Sequence, residues 1–95
     1  MNEINMQIPE NFEVDEAAKF REEVNEMIGK GEKHFVLNFN NCSFIDSTGL
    51  GVLVGTYKKC MEVGGSLKLN SIKPKVMKVF KLTRLDKVFG IKEQN

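Results

Sequence analysis

The chain contains no tryptophan, one histidine, one tyrosine, two cysteines and two prolines among its 95 residues, and each scarcity removes a class of chemistry. A catalytic serine needs a base within hydrogen-bond reach. The single imidazole, His34, is expected to open a strand on the far side of the fold from Ser47, the serine discussed below. One histidine and two separated cysteines do not supply a metal-ligand set. Cys42 and Cys60 lack C-x-x-C spacing and sit beside apolar residues, as small buried thiols do. Fourteen Lys and Arg against thirteen Asp and Glu leave a formal charge of +1, so no global field draws nucleic acid or an anionic membrane. No apolar run is long enough to cross a bilayer, and the start MNEINMQ lacks the pattern of a signal peptide. A cytoplasmic, non-enzymatic protein without cofactor, metal, nucleic acid or membrane insertion is therefore expected.

A hydrophobic content of 41% with 28% charged residues suits a folded domain. Ninety-five residues allow one, spanning 1–95. Ile4, Met6 and Ile8 alternate with polar residues as a strand that Pro9 ends. Ala17, Phe20, Val24, Met27 and Ile28 fall on one face of a helix over 15–28. His34 to Phe39 is short and lies between a glycine turn and Asn40-Asn41, which favours a strand. Beyond Ser47, Leu50, Leu53, Val54, Tyr57, Cys60 and Met61 form a stripe at helical spacing, expected to lie on the sheet. Leu67 and Leu69 mark another strand. Pro74 opens a helix carrying Val76, Val79, Phe80 and Leu82, and Leu85 to Ile91 holds a short helical turn and a strand stub. Strands alternating with helices imply an α/β fold with a mostly parallel sheet.

The junction between strand and helix at Phe44 to Leu50, FIDSTGL, draws attention because Ser47 falls where a helix N-terminus presents unpaired N–H groups. Asp46 and Ser47 both suit helix capping, and capping leaves room for regulation: a phosphate on Ser47 would add about −1.5 to −2 charge beside Asp46. The spacing Gly49-x-Gly51-x-x-x-Gly55 resembles a dinucleotide loop only loosely, because the last glycine is one residue late and the next strand ends in Asn70-Ser71 without a ribose-binding carboxylate. Gly51 and Gly55 read better as a flat helix face for close packing. The glycine two residues before the serine that a nucleophile elbow requires is absent.

FIDSTGLGVLVGTYKKC, together with VGGSLKLNSIKPKVMKVFKLTRLDKVFGI, resembles the STAS-domain family, specifically the small bacterial anti-sigma factor antagonists. The resemblance runs from Ile4 onward. It implies a single STAS-like domain with a mostly parallel four-stranded sheet and helices packed against it, lacking the family's usual extra N-terminal strand. It also implies a switch protein that binds an anti-sigma factor serine kinase and frees its sigma factor. Phosphorylation at Ser47 would end the binding and a serine phosphatase would restore it. Asp46, Ser47, Thr48, Gly49 and Leu50 would border the partner, with Glu13 standing at the family's acidic position before the first helix. The free sheet edge would suit pairing with a second copy in a homodimer. Related domains also serve in transport and sensory complexes, so the alternative is a constitutive scaffold or ligand-binding subunit.

Overall fold

The computed structural model describes residues 2–91. Its elements run β1 (Ile4–Gln7), β2 (Asn11–Phe12), α1 (Val14–Gly29), β3 (His34–Asn38), β4 (Phe44–Ile45), α2 (Ser47–Glu62), β5 (Ser66–Asn70), α3 (Pro74–Leu82) and α4 (Leu85–Val88). The expected alternation is present, but the sheet divides. β1, β3 and β5 form a parallel three-stranded sheet in the order β1-β3-β5, and β2 and β4 form a separate parallel pair. Pro9 interrupts the first strand after Ile8 has donated to the Asn38 carbonyl at 2.9 Å. The third is interrupted by a turn at Asn40-Asn41, closed by Cys42 N–H donating to the Phe39 carbonyl at 2.9 Å. Both chains then resume side by side, the Glu10 carbonyl accepting from Ser43 N–H and Phe44 N–H.

Strand register explains the single core. Ile4 pairs with Phe35 and Phe35 with Leu67; Met6 pairs with Leu37 and Leu37 with Leu69. Since successive side chains alternate faces, these rows form one apolar face. Right-handed crossovers advancing in one direction place α1 and α2 on that same face, and the two helices do pack against each other. Ala17, Phe20 and Val24 are the buried stripe of α1. The opposite sheet face carries Asn5, Gln7, Asn38, Lys68 and Asn70, polar side chains that the helices leave uncovered.

The buried face of α2 is Gly49, Val52, Leu53, Thr56 and Cys60. This rotates the expected stripe: Met61 is exposed, while Val52 and Thr56 are inside. Thr56 is accommodated because its hydroxyl donates to the Val52 carbonyl at 2.8 Å, and no buried side-chain nitrogen or oxygen among the described residues lacks a partner. On α3, Val76 and Phe80 are buried, whereas Leu82 is 79% exposed, in contrast to its expected place on the apolar face. Phe80 meets Phe39 and Phe89 edge-on, and Phe89 meets Tyr57, so four rings tie α3 and α4 to α2 and the end of β3. The segment after α4 forms no strand up to Ile91; Gly90 turns the chain at φ +62° instead. Both cysteines are free and fully buried.

Candidate functional site

The β2–β4 pair positions the site. Asn11 pairs with Phe44 and Phe12 with Ile45, and the next residue on each strand occupies the N-cap position of a helix: Glu13 before α1, Asp46 before α2. Two parallel strands in register therefore deliver two helix N-termini side by side. Asp46 N–H lies 3.4 Å from the Phe12 carbonyl, continuing the pairing.

The caps differ. The Asp46 carboxylate accepts from Gly49 N–H at 2.8 Å, and its carbonyl accepts the first helical bond, from Leu50 N–H at 3.0 Å. Glu13 makes no side-chain cap, being one methylene too long for the favoured geometry, though its carbonyl accepts from Ala17 N–H at 2.7 Å. Capping of α2 thus belongs to Asp46 alone. Ser47 is the first helical residue, exposed, and its hydroxyl has no hydrogen-bond partner among the described residues. Thr48 is exposed beside it. Gly49 is buried and Leu50 half-buried against the core, so these two support the surface from beneath.

Gly49 is fixed by close approach. A Cβ there would collide with the Phe12 carbonyl oxygen and lie 2.8 Å from the Phe12 ring and 2.9 Å from Ile45 Cγ1. A backbone oxygen in a paired strand cannot move aside, so the start of α2 rests on β2 only if position 49 lacks a side chain. Gly51 and Gly55 overturn the packing expectation: both are exposed, and a Cβ at either would meet nothing within 4 Å. At four-residue spacing they continue the exposed face that begins with Ser47.

Two apolar side chains near the two helix starts are exposed. Val14, the first residue of α1, is 58% exposed, and Phe44 on β4 is 44% exposed. No sequence signal marks them: Val14 falls in phase with the buried stripe Ala17, Phe20 and Val24, and Phe44 adjoins buried Ile45. His34 is remote from all of this. It opens β3 at the sheet's amino end, where its Nδ1 is 2.8 Å from Ser66 Oγ. No cluster of three or more His, Cys, Asp or Glu side chains suited to a metal exists among the described residues.

The fold and site define a small α/β domain that offers an uncommitted serine hydroxyl at a helix start, with its one imidazole, His34, at the amino end of β3. The chain belongs to the STAS domain family, whose model matches residues 6–94. It is similar to the anti-sigma-B factor antagonist of Bacillus subtilis (strain 168), with 33% identity over 90 residues, covering 95% of this chain and 82% of that protein. Among solved structures it is similar to TM1081 of Thermotoga maritima, with a TM-score of 0.85 and 28% identity, covering 97% of this chain and 74% of that one. The Bacillus cell-fate determinant SpoIIAA in its phosphorylated form shares the fold, with a TM-score of 0.74 at 23% identity, over 90% of this chain and 78% of that one. No helix among the described residues is long and apolar enough to cross a membrane.

Proposed function

We propose that this protein is an anti-sigma factor antagonist: unphosphorylated, it binds an anti-sigma factor that is also a serine kinase, and phosphate on Ser47 switches that binding off. The observation that carries the reading is the division of labour at α2, where Asp46 accepts from Gly49 N–H and the Ser47 hydroxyl is exposed with no partner among the described residues. A serine needed as a cap would be held by the backbone; this one is available to an incoming kinase. The names of the B. subtilis relative and of a second relative in Paenibacillus polymyxa, an anti-sigma F factor antagonist, support the partner class.

The surroundings supply the switch. Val14 and Phe44 are apolar anchors for a partner near the helix starts, and Gly51 and Gly55 let that partner approach the α2 backbone. Exposed glycines cost a helix roughly 0.5–1 kcal/mol each relative to alanine, and nothing in the chain's own packing requires them. A phosphate at Ser47 would sit beside the Asp46 carboxylate and near Glu13, and would have to be desolvated under any partner surface that covers it. Addition of a dianion therefore weakens a contact that a hydroxyl permits.

Incubation with the anti-sigma factor kinase of the same organism and ATP is expected to place one phosphate on Ser47 and none on Ser47→Ala. Phosphate on another residue, or tight binding of the anti-sigma factor by Ser47→Asp, would remove the proposal.

A further inference from the structure

A concave surface that does not include Ser47 lies elsewhere on the molecule. Between β5, the start of α3 and the chain beyond α4 lies a groove of about 1010 Å³. Leu69, Ile72, Met77 and Ile91 give it apolar lining, and Lys75 and Lys78 stand at its side. Neither of those lysines has an ion-pair partner among the described residues. β5 is an edge of the sheet, so its outer backbone groups pair with no strand among the described residues. Ser71, where the strand leaves the groove, is held at φ +57°, a left-handed conformation uncommon for a residue with a side chain.

We infer that this groove binds an extended acidic segment of a partner protein, laid along the β5 edge. Three features select that occupant over others. A free strand edge offers alternating N–H and C=O groups, which an extended chain satisfies by adding a strand. An apolar lining accepts every second side chain of such a strand. The charge then selects sign: between Ser71 and Ile91 the chain has six Lys and Arg and a single acid, Asp86, although the whole molecule is almost neutral. Acidic side chains on the segment's other face would meet Lys75 and Lys78, favouring encounter and rejecting basic sequences. This site goes beyond the Ser47 switch and does not depend on it.

The test uses the full chain and a fluorescein-labelled, acetylated heptapeptide alternating glutamate with valine and leucine, against a control in which lysine replaces each glutamate. The acidic peptide is expected to bind, with amide shifts concentrated at Leu69 to Ile72 and Lys75 to Lys78, and the lysine peptide to bind at least about tenfold more weakly. Lys75→Glu combined with Lys78→Glu should weaken the acidic peptide by a similar factor and leave the far-UV spectrum and melting temperature near wild type. Equal binding of both peptides, shifts elsewhere, or indifference to the double charge reversal would overturn the inference. So would sedimentation of the chain with phosphatidylglycerol vesicles when the acidic peptide does not bind, which would assign the lysines to a membrane surface. Binding only after removal of residues 92–95 would give the groove to the chain's own terminus.

Discussion

At the residue scale, three glycines within seven positions have opposite duties. Gly49 is pressed against the Phe12 carbonyl, whereas Gly51 and Gly55 face open space. Gly49→Ala should therefore destabilise the fold by about 1–3 kcal/mol through forced displacement of α2, read as a lowered urea midpoint. Gly51→Ala should do the reverse, raising stability by roughly 0.5–1 kcal/mol, while weakening anti-sigma factor binding in calorimetry. A Gly51→Ala variant that gained stability and bound as tightly as wild type would show that the exposed glycine face takes no part in recognition. Asp46→Ala is expected to cost about 0.5–2 kcal/mol through loss of the α2 cap, while Ser47→Ala, which removes no bond, should leave the urea midpoint unchanged within error.

At the scale of elements, α3 divides into a buried and a bare side that local sequence does not separate. Val76, Val79, Phe80 and Leu82 all fit an apolar grouping, but on α3 only Val76 and Phe80 are fully buried, Val79 is half-buried against the core and Leu82 is exposed. Phe80→Ala is expected to lose about 3–5 kcal/mol, since it empties the centre of the ring cluster with Phe39 and Phe89. Leu82→Ser should stay within about 0.5 kcal/mol of wild type, and thermal melts of the two variants distinguish them. The order of strands and helices was legible because period-two and helical spacing differ strongly, and Pro9, Gly64-Gly65 and Pro74 punctuate them. Splitting of the sheet into three strands and two was not legible. It depends on which carbonyl Ser43 and Phe44 reach across the fold, and no local pattern encodes that Glu10 is the acceptor. The site was legible as a junction, since Asp46 and Ser47 are both capping types, but the choice between them rests on the 2.8 Å bond from Gly49 to Asp46. Val14 and Phe44 were missed because an exposed apolar residue has the same sequence signature as a buried one.

At the scale of the whole molecule, near-neutrality conceals a separation of charge. The first 32 residues carry nine acids against three bases, and the stretch from Ser71 to Ile91 is strongly basic. The acidic part includes Glu13 and the α1 start that flank Ser47; the basic part forms the groove beside β5. The two stretches differ in sign, and high salt should weaken the acidic-segment binding inferred for the groove. Core chemistry adds a pH limit. Burial pushes the Cys42 and Cys60 thiols above their ordinary value of 9.0, an effect that a backbone hydrogen bond at Phe44 and the nearby Lys73 charge only partly offset at Cys42. As pH rises past about 9 the unfolded chain releases thiol protons that the folded chain retains, so stability falls there and is unaffected by these groups below it. Urea midpoints at pH 8 and pH 10 should differ more for wild type than for Cys42→Ala with Cys60→Ala. An equal difference in both proteins would assign the alkaline loss to other groups.

Calorimetric titration of the same organism's anti-sigma factor with the Ser47-phosphorylated and unphosphorylated chains distinguishes a switch at Ser47 from a mere helix start. Phosphate is expected to weaken binding by roughly 10- to 100-fold, corresponding to about 1.4–2.8 kcal/mol, with no change in the fold seen by circular dichroism. Equal affinity of the two forms would contradict it.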